Sequence, residues 1–199
     1  MLPIKVSALV GFLAAVVSAA PWDNRAMMAN VFEDTINPRL WGPLHGKVIT
    51  AAEGKIWVGR PTAASCAPNN LNCVPPQDTV IHVWLKTTMS MDAKVRQQLY
   101  VNSKGALIYT APEAIMDGSI TNGFGIKTGT FGGLYIMHSN GGKWIACPAK
   151  AGQEPYQVFF EQNPVADKST PSGNRADCVD IAFSVQMFPG KLPAAYRYD

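Results

Sequence analysis

Apolar and polar side chains alternate in short runs along most of the chain, and Gly, Pro, Asn and Ser separate the runs. No long stretch repeats its apolar positions at helical spacing, so the pattern predicts short strands. The clearest run spans residues 179–185. Val179, Ile181, Phe183 and Val185 share one face, and Asp180, Ala182 and Ser184 share the other, as successive side chains of a strand must. Residues 80–86 repeat the scheme: Ile81, Val83 and Leu85 form an apolar face, while His82, Trp84 and Lys86 form a polar face expected to meet water. A third run, 156–161, groups Tyr156, Val158 and Phe160.

Turn chemistry links some of these runs. In residues 98–109, Asn102 can open a turn by bonding its own backbone, and Gly105 can supply the positive φ that closes a type I turn with a bulge. A second hairpin is expected between 134–137 and 143–147, through 138–142. Further strands are expected at 47–50, 55–59 and 124–128. Together these give about nine or ten strands, enough to pack a β-sandwich or close a β-barrel. One helical turn or two is expected within 23–36, capped by Asp23 and ended by Pro38.

The first residues depart from this pattern. A single basic residue, Lys5, precedes an uncharged run over 6–20 rich in Val, Ala, Leu and Phe, which ends in the small residues Val17, Ser18 and Ala19. This is the layout of a secretory signal peptide. It is shorter than the roughly 20 apolar residues a transmembrane helix needs. Cleavage is expected after Ala19, because cutting one residue later would leave Pro21 first. Residues 1–19 are thus expected to be a leader and 20–199 a single mainly-β secreted domain. The C-terminal residues lack the apolar tail of a lipid-anchor signal, so no membrane insertion is expected.

Export changes how the cysteines are read. Cys66, Cys73, Cys147 and Cys178 all follow the leader, and an oxidising compartment favours two disulfides. Four cysteines allow three pairings. Cys66 with Cys73 and Cys147 with Cys178 is the favoured one, its loops worth about 2.4 and about 3.7 kcal/mol on a chain-entropy estimate. A zinc site is the weaker reading, since the Cys66 to Cys73 spacing is long for a knuckle and no His pair accompanies it. Neither a metal nor any other cofactor is expected.

Charge narrows the partners. The formal net charge is +3, and removing the leader lowers it to +2. The basic residues are scattered rather than clustered, which argues against a nucleic-acid partner. No Asn-x-Ser or Asn-x-Thr acceptor occurs, so N-glycosylation is not expected.

Several landmarks give the chain a resemblance. Residues 97–110 read Gln-Gln-Leu-Tyr-Val-Asn-Ser-Lys-Gly-Ala-Leu-Ile-Tyr-Thr. Ala146-Cys147-Pro148, Tyr156-Gln157-Val158-Phe159, Asp177-Cys178 and Ala194-Ala195-Tyr196-Arg197-Tyr198 follow in order. Upstream stand Gly42-Pro43-Leu44-His45 and Gly54-Lys55-Ile56-Trp57-Val58-Gly59. This series resembles small secreted IgE-binding proteins of filamentous fungi, a group similar to the PhiA-like cell-wall proteins. The resemblance implies a secreted, extracellular or wall-associated protein with no assigned reaction. It carries no site residues.

A search for catalytic chemistry gives little. The chain has no His-Glu-x-x-His, no Gly-x-Ser-x-Gly and no phosphate-cradling glycine motif. His45, His82 and His138 are far apart in sequence, each without an acidic neighbour that suggests a relay. Glycoside hydrolysis needs two carboxylates across a cleft; Glu161 and Asp180 lie on strands that could be neighbours, and Glu113, Asp117 and Glu154 lie in or near turns. No enzyme is expected. Glycan binding is the more reasonable activity, because sugars dock on flat aromatic faces flanked by hydrogen-bonding groups. Trp57, Trp84 and Trp144 are candidates, with Trp84 and its face-mate His82 first. The expected partners are wall polysaccharide or a host receptor or antibody. The expected role is structural or interactive at the cell surface; a host-facing effector or elicitor is the alternative, and a secreted hydrolase a third.

Overall fold

A computed structural model describes residues 26–32, 42–70, 73–84, 87–129, 132–190 and 195–199. The expected leader, Asp23, Pro38, Leu85 and Lys86 lie outside them. The described residues form fourteen strands: β1 (Ala26–Phe32), β2 (Val48–Ala52), β3 (Lys55–Val58), β4 (Ala64–Ser65), β5 (Val80–Val83), β6 (Met89–Met91), β7 (Gln98–Val101), β8 (Leu107–Thr110), β9 (Phe124–Thr128), β10 (Leu134–His138), β11 (Lys143–Lys150), β12 (Gln153–Glu161), β13 (Val179–Met187) and β14 (Arg197–Tyr198).

Twelve of them make one sheet in the order β2-β1-β5-β6-β7-β8-β3-β12-β11-β13-β10-β9, and β4 pairs with β14 apart from it. Additional pairings, β2 with β3 and β1 with β13, fold the sheet back on itself. The result is sandwich-like. It is not a closed barrel, because among the described residues the order ends at β9, which pairs only with β10.

The alternation read from the sequence sets the layers. Along β13, Ile181, Phe183 and Val185 are buried, and Tyr156, Val158 and Phe160 of β12 join them in the main core. The opposite face of β11 and β12 is covered as well: Ile145, Cys147 and Phe159 pack with Ala106 and Val165 in a second, smaller core. Cys147 is bonded to Cys178 beside that second core, and Cys66 to Cys73, which is the favoured pairing. With all four sulfurs oxidised, none is a thiolate for zinc.

The β7–β8 hairpin forms as its turn chemistry predicts. The Asn102 side-chain oxygen accepts the Lys104 and Ala106 backbone N–H groups at 3.0 Å each, and the Gly105 N–H donates to the Asn102 carbonyl at 2.9 Å. Gly105 has φ 85°, and a Cβ there would lie 3.0 Å from a Val165 methyl.

Three expectations fail. The expected helical turns within 23–36 give way to strand β1 over Ala26–Phe32, which pairs with β13, β2 and β5. Met and Ala favour helices, but the burial of Met27, Ala29 and Val31 in the main core decides the outcome. The second hairpin is also absent. Strands β10 and β11 do not pair; each runs antiparallel to β13, through Leu134↔Val185 and Tyr135↔Ser184, then through Trp144↔Ile181 to Ala146↔Val179. The strand count rises above nine or ten because β1, β4, β6 and β14 were not anticipated.

Candidate binding groove

Trp84 directly follows β5, which pairs with β6 through His82↔Ser90 and Val83↔Met89. The Trp84 N–H donates to the Thr88 carbonyl at 2.9 Å, and the Thr87 N–H donates to the Trp84 carbonyl at 2.8 Å. Thr87 has φ 61°, an uncommon conformation for a β-branched residue. Contacts from the β9 end hold it there. The Phe124 N–H donates to its carbonyl at 3.0 Å, and the Gly123 N–H to its hydroxyl at 2.9 Å.

This anchoring fixes where Trp84 projects. Its indole N–H donates to the Ser90 hydroxyl at 2.7 Å, yet the residue stays 41% exposed. Beside it opens a groove of about 550 Å³, floored by Met89 and Met91 and walled by Ser90, Gln98, Lys94 and Arg96. A flat aromatic face next to hydroxyl, amide and cationic groups can stack on a sugar ring and hydrogen-bond its hydroxyls.

His82 does lie on the face of Trp84, with the two rings 5.4 Å apart, but that face is not wet at His82. The residue is buried at 8% exposure, and its Nε2 lies 3.0 Å from an Asp92 carboxylate oxygen. The expectation of no acidic neighbour fails here, because Asp92 follows β6 and the hairpin folds it back against β5. His82 is not a lining residue of the groove. It packs against the Trp84 ring.

The other two candidate tryptophans are core. Trp57 and Trp144 are buried, and their indole N–H groups donate to the Ala52 carbonyl at 3.0 Å and the Ile136 carbonyl at 2.8 Å. His138 is buried too. Its Nδ1 accepts the Asn140 N–H at 3.2 Å, and its Nε2 lies 3.1 Å from the Asn122 carbonyl. His45 packs against Phe32, ring centroids 5.2 Å apart.

Strand β11 lies between β12 and β13 and brings Glu161 and Asp180 to one cluster of charges. Arg175 Nε and one of its terminal nitrogens each lie 2.7 Å from a Glu161 carboxylate oxygen, and the Val165 N–H donates to the same carboxylate at 2.9 Å. Lys143 Nζ sits 2.9 Å from Asp180 and 3.6 Å from Glu161. The Arg175 hydrogen bonds hold the Glu161 carboxyl down at about 2, against burial, which raises it. A hydrolytic general acid needs the opposite shift. These carboxylates tie the turn at Arg175–Asp177 to the sheet instead.

A family model described as PhiA-like secreted protein matches residues 36–199. The chain belongs to the PhiA-like secreted protein family. It is therefore a secreted protein, and no helix among the described residues is long and apolar enough to cross a membrane. No curated protein and no solved structure matches it. The landmarks from Gly42 to Tyr198 fall within the matched span. Within this family member, sequence reasoning missed Ser90, Lys94, Arg96 and Gln98 as neighbours of Trp84. The only local signal was the Lys94-x-Arg96 spacing, which by itself reads as an ordinary solvated segment.

Proposed function

We propose that this PhiA-like protein is a fungal cell-wall-associated protein that holds wall polysaccharide in the Trp84 groove and does no chemistry on it. One observation carries the reading: an exposed indole stands at a groove walled by hydrogen-bonding side chains, whereas Trp57 and Trp144 are consumed by the core. The ion-paired state of Glu161 supports binding over hydrolysis, since a carboxyl held down by Arg175 makes a poor proton donor.

The test is retention of purified mature protein on washed wall polysaccharide, comparing wild type with Trp84→Ala. Retention should fall strongly in the variant. Its melting temperature should drop by no more than about 2–4 °C, the shift that about 1 kcal/mol gives a chain of this size. Equal retention of the two proteins rejects the reading.

A further inference from the structure

The Trp84 groove carries two cations and no carboxylate. Lys94 and Arg96 both line it and both are exposed, and no Asp or Glu lines it among the described residues. Neither cation has an acidic partner among the described residues; the salt bridges there involve Lys47, Arg60, His82, Lys143, Arg175 and Arg197. The nearest acid in sequence, Asp92, is buried against His82. On a chain of nearly balanced charge, two unneutralised cations beside an exposed aromatic face set up a local preference for anions.

The backbone that bears these cations is fixed. The Lys94 and Val95 N–H groups donate to the Ala195 and Tyr196 carbonyls at 3.0 and 2.8 Å. The Gln97 side-chain amide is bonded at both ends to the Tyr198 backbone, at 2.7 and 2.9 Å. Lys94 also lines a second groove of about 240 Å³, whose walls include Tyr196 and Asn70. One cation therefore stands between two recesses, each with an aromatic residue on its wall.

We infer that the ligand of this groove is an acidic polysaccharide, whose uronate-type carboxylates meet Lys94 and Arg96 while a sugar ring stacks on Trp84. The inference rests on the groove reading above and specifies its ligand. Arg96 offers a planar fork that matches a carboxylate, and Lys94 a point charge. Two recesses joined at Lys94 suit several consecutive sugar units better than one.

Affinity electrophoresis of the mature protein in gels of polygalacturonate, of laminarin (a neutral β-glucan) and of glycol chitin separates the possibilities. Wild type should be retarded most by polygalacturonate, and added salt should reduce that retardation. Lys94→Gln with Arg96→Gln should weaken polygalacturonate binding by about tenfold or more, the scale of one or two charge-assisted contacts, and weaken any laminarin or chitin binding by much less. Trp84→Ala should weaken polygalacturonate binding too, which bulk ion exchange would not show. Equal retardation by neutral and acidic polymers, or an unaltered double variant, overturns the acidic ligand while a Trp84-dependent neutral glycan keeps the groove reading. Insensitivity of every gel to Trp84→Ala overturns both.

Discussion

Three side chains show how residue chemistry departs from its position in the sequence. Trp84 and His82 share a strand face, as the alternation demands, but one is exposed and the other is buried against Asp92. The alternation was legible; the partner was not, since nothing local says that a chain reversal returns Asp92 to His82. Glu161 is the third. Held by Arg175 and the Val165 N–H, its carboxyl titrates at about 2 rather than at 4.5. A carboxylate depressed on folding adds stability above its unfolded value, and that stability is lost as pH falls through the folded one. Thermal unfolding of wild type should therefore weaken between about pH 4.5 and about 2. Glu161→Gln should cost about 1.5–3 kcal/mol at neutral pH, the range for hydrogen bonds to charged groups, and show a shallower loss across the same window. A parallel pH profile for the two proteins would contradict the assignment.

At the scale of elements, the alternating runs that became β5, β12 and β13 were readable because each has one apolar face for the main core. The β7–β8 turn was readable because Asn102 and Gly105 each supply something its geometry requires. Strand β1 was misread for the opposite reason: Met27, Met28 and Ala29 carry helix preference, and only pairing on both sides makes them strand. The β10–β11 connection looked like a hairpin, but β13 takes both strands as partners, and such long-range competition leaves no local trace. The short strands β4 and β14 depend on the same kind of distant contact. Tyr198, 1% exposed, receives the Val80 N–H on its hydroxyl at 2.9 Å and donates to the Asp78 carbonyl at 3.3 Å. Burial pushes its pKa up, consistent with a phenol sealed from water. Tyr198→Phe should leave the Val80 N–H without its acceptor and cost about 1–3 kcal/mol in denaturant unfolding. A change below about 0.5 kcal/mol would show that the hydroxyl anchors nothing.

Over the whole molecule, a folded-back sheet encloses one main core, and a second, smaller core flanks it where Cys147 and Cys178 are bonded. That bond bridges 31 residues and the Cys66–Cys73 bond only seven, so the first removes more freedom from the unfolded chain. Secretion, the disulfide pairing and the mainly-β class were all within reach of the sequence, because each follows from a local or compositional feature. The groove was not, because it brings the β5–β6 hairpin and residues 93–98 together in space, the latter held in place by backbone bonds to the C-terminal segment. The central claim is that Trp84, alone among the three tryptophans first considered, faces a carbohydrate. Its most direct test is the indole N–H region of a two-dimensional ¹H–¹⁵N spectrum during titration with oligogalacturonate and with wall-glucan fragments, the Trp84 signal being identified by its loss in Trp84→Phe. The account predicts a progressive, saturable shift of the Trp84 signal while the Trp57 and Trp144 signals, bonded inside the core, stay in place. A Trp84 signal that does not move at saturating concentrations of both ligands would contradict it.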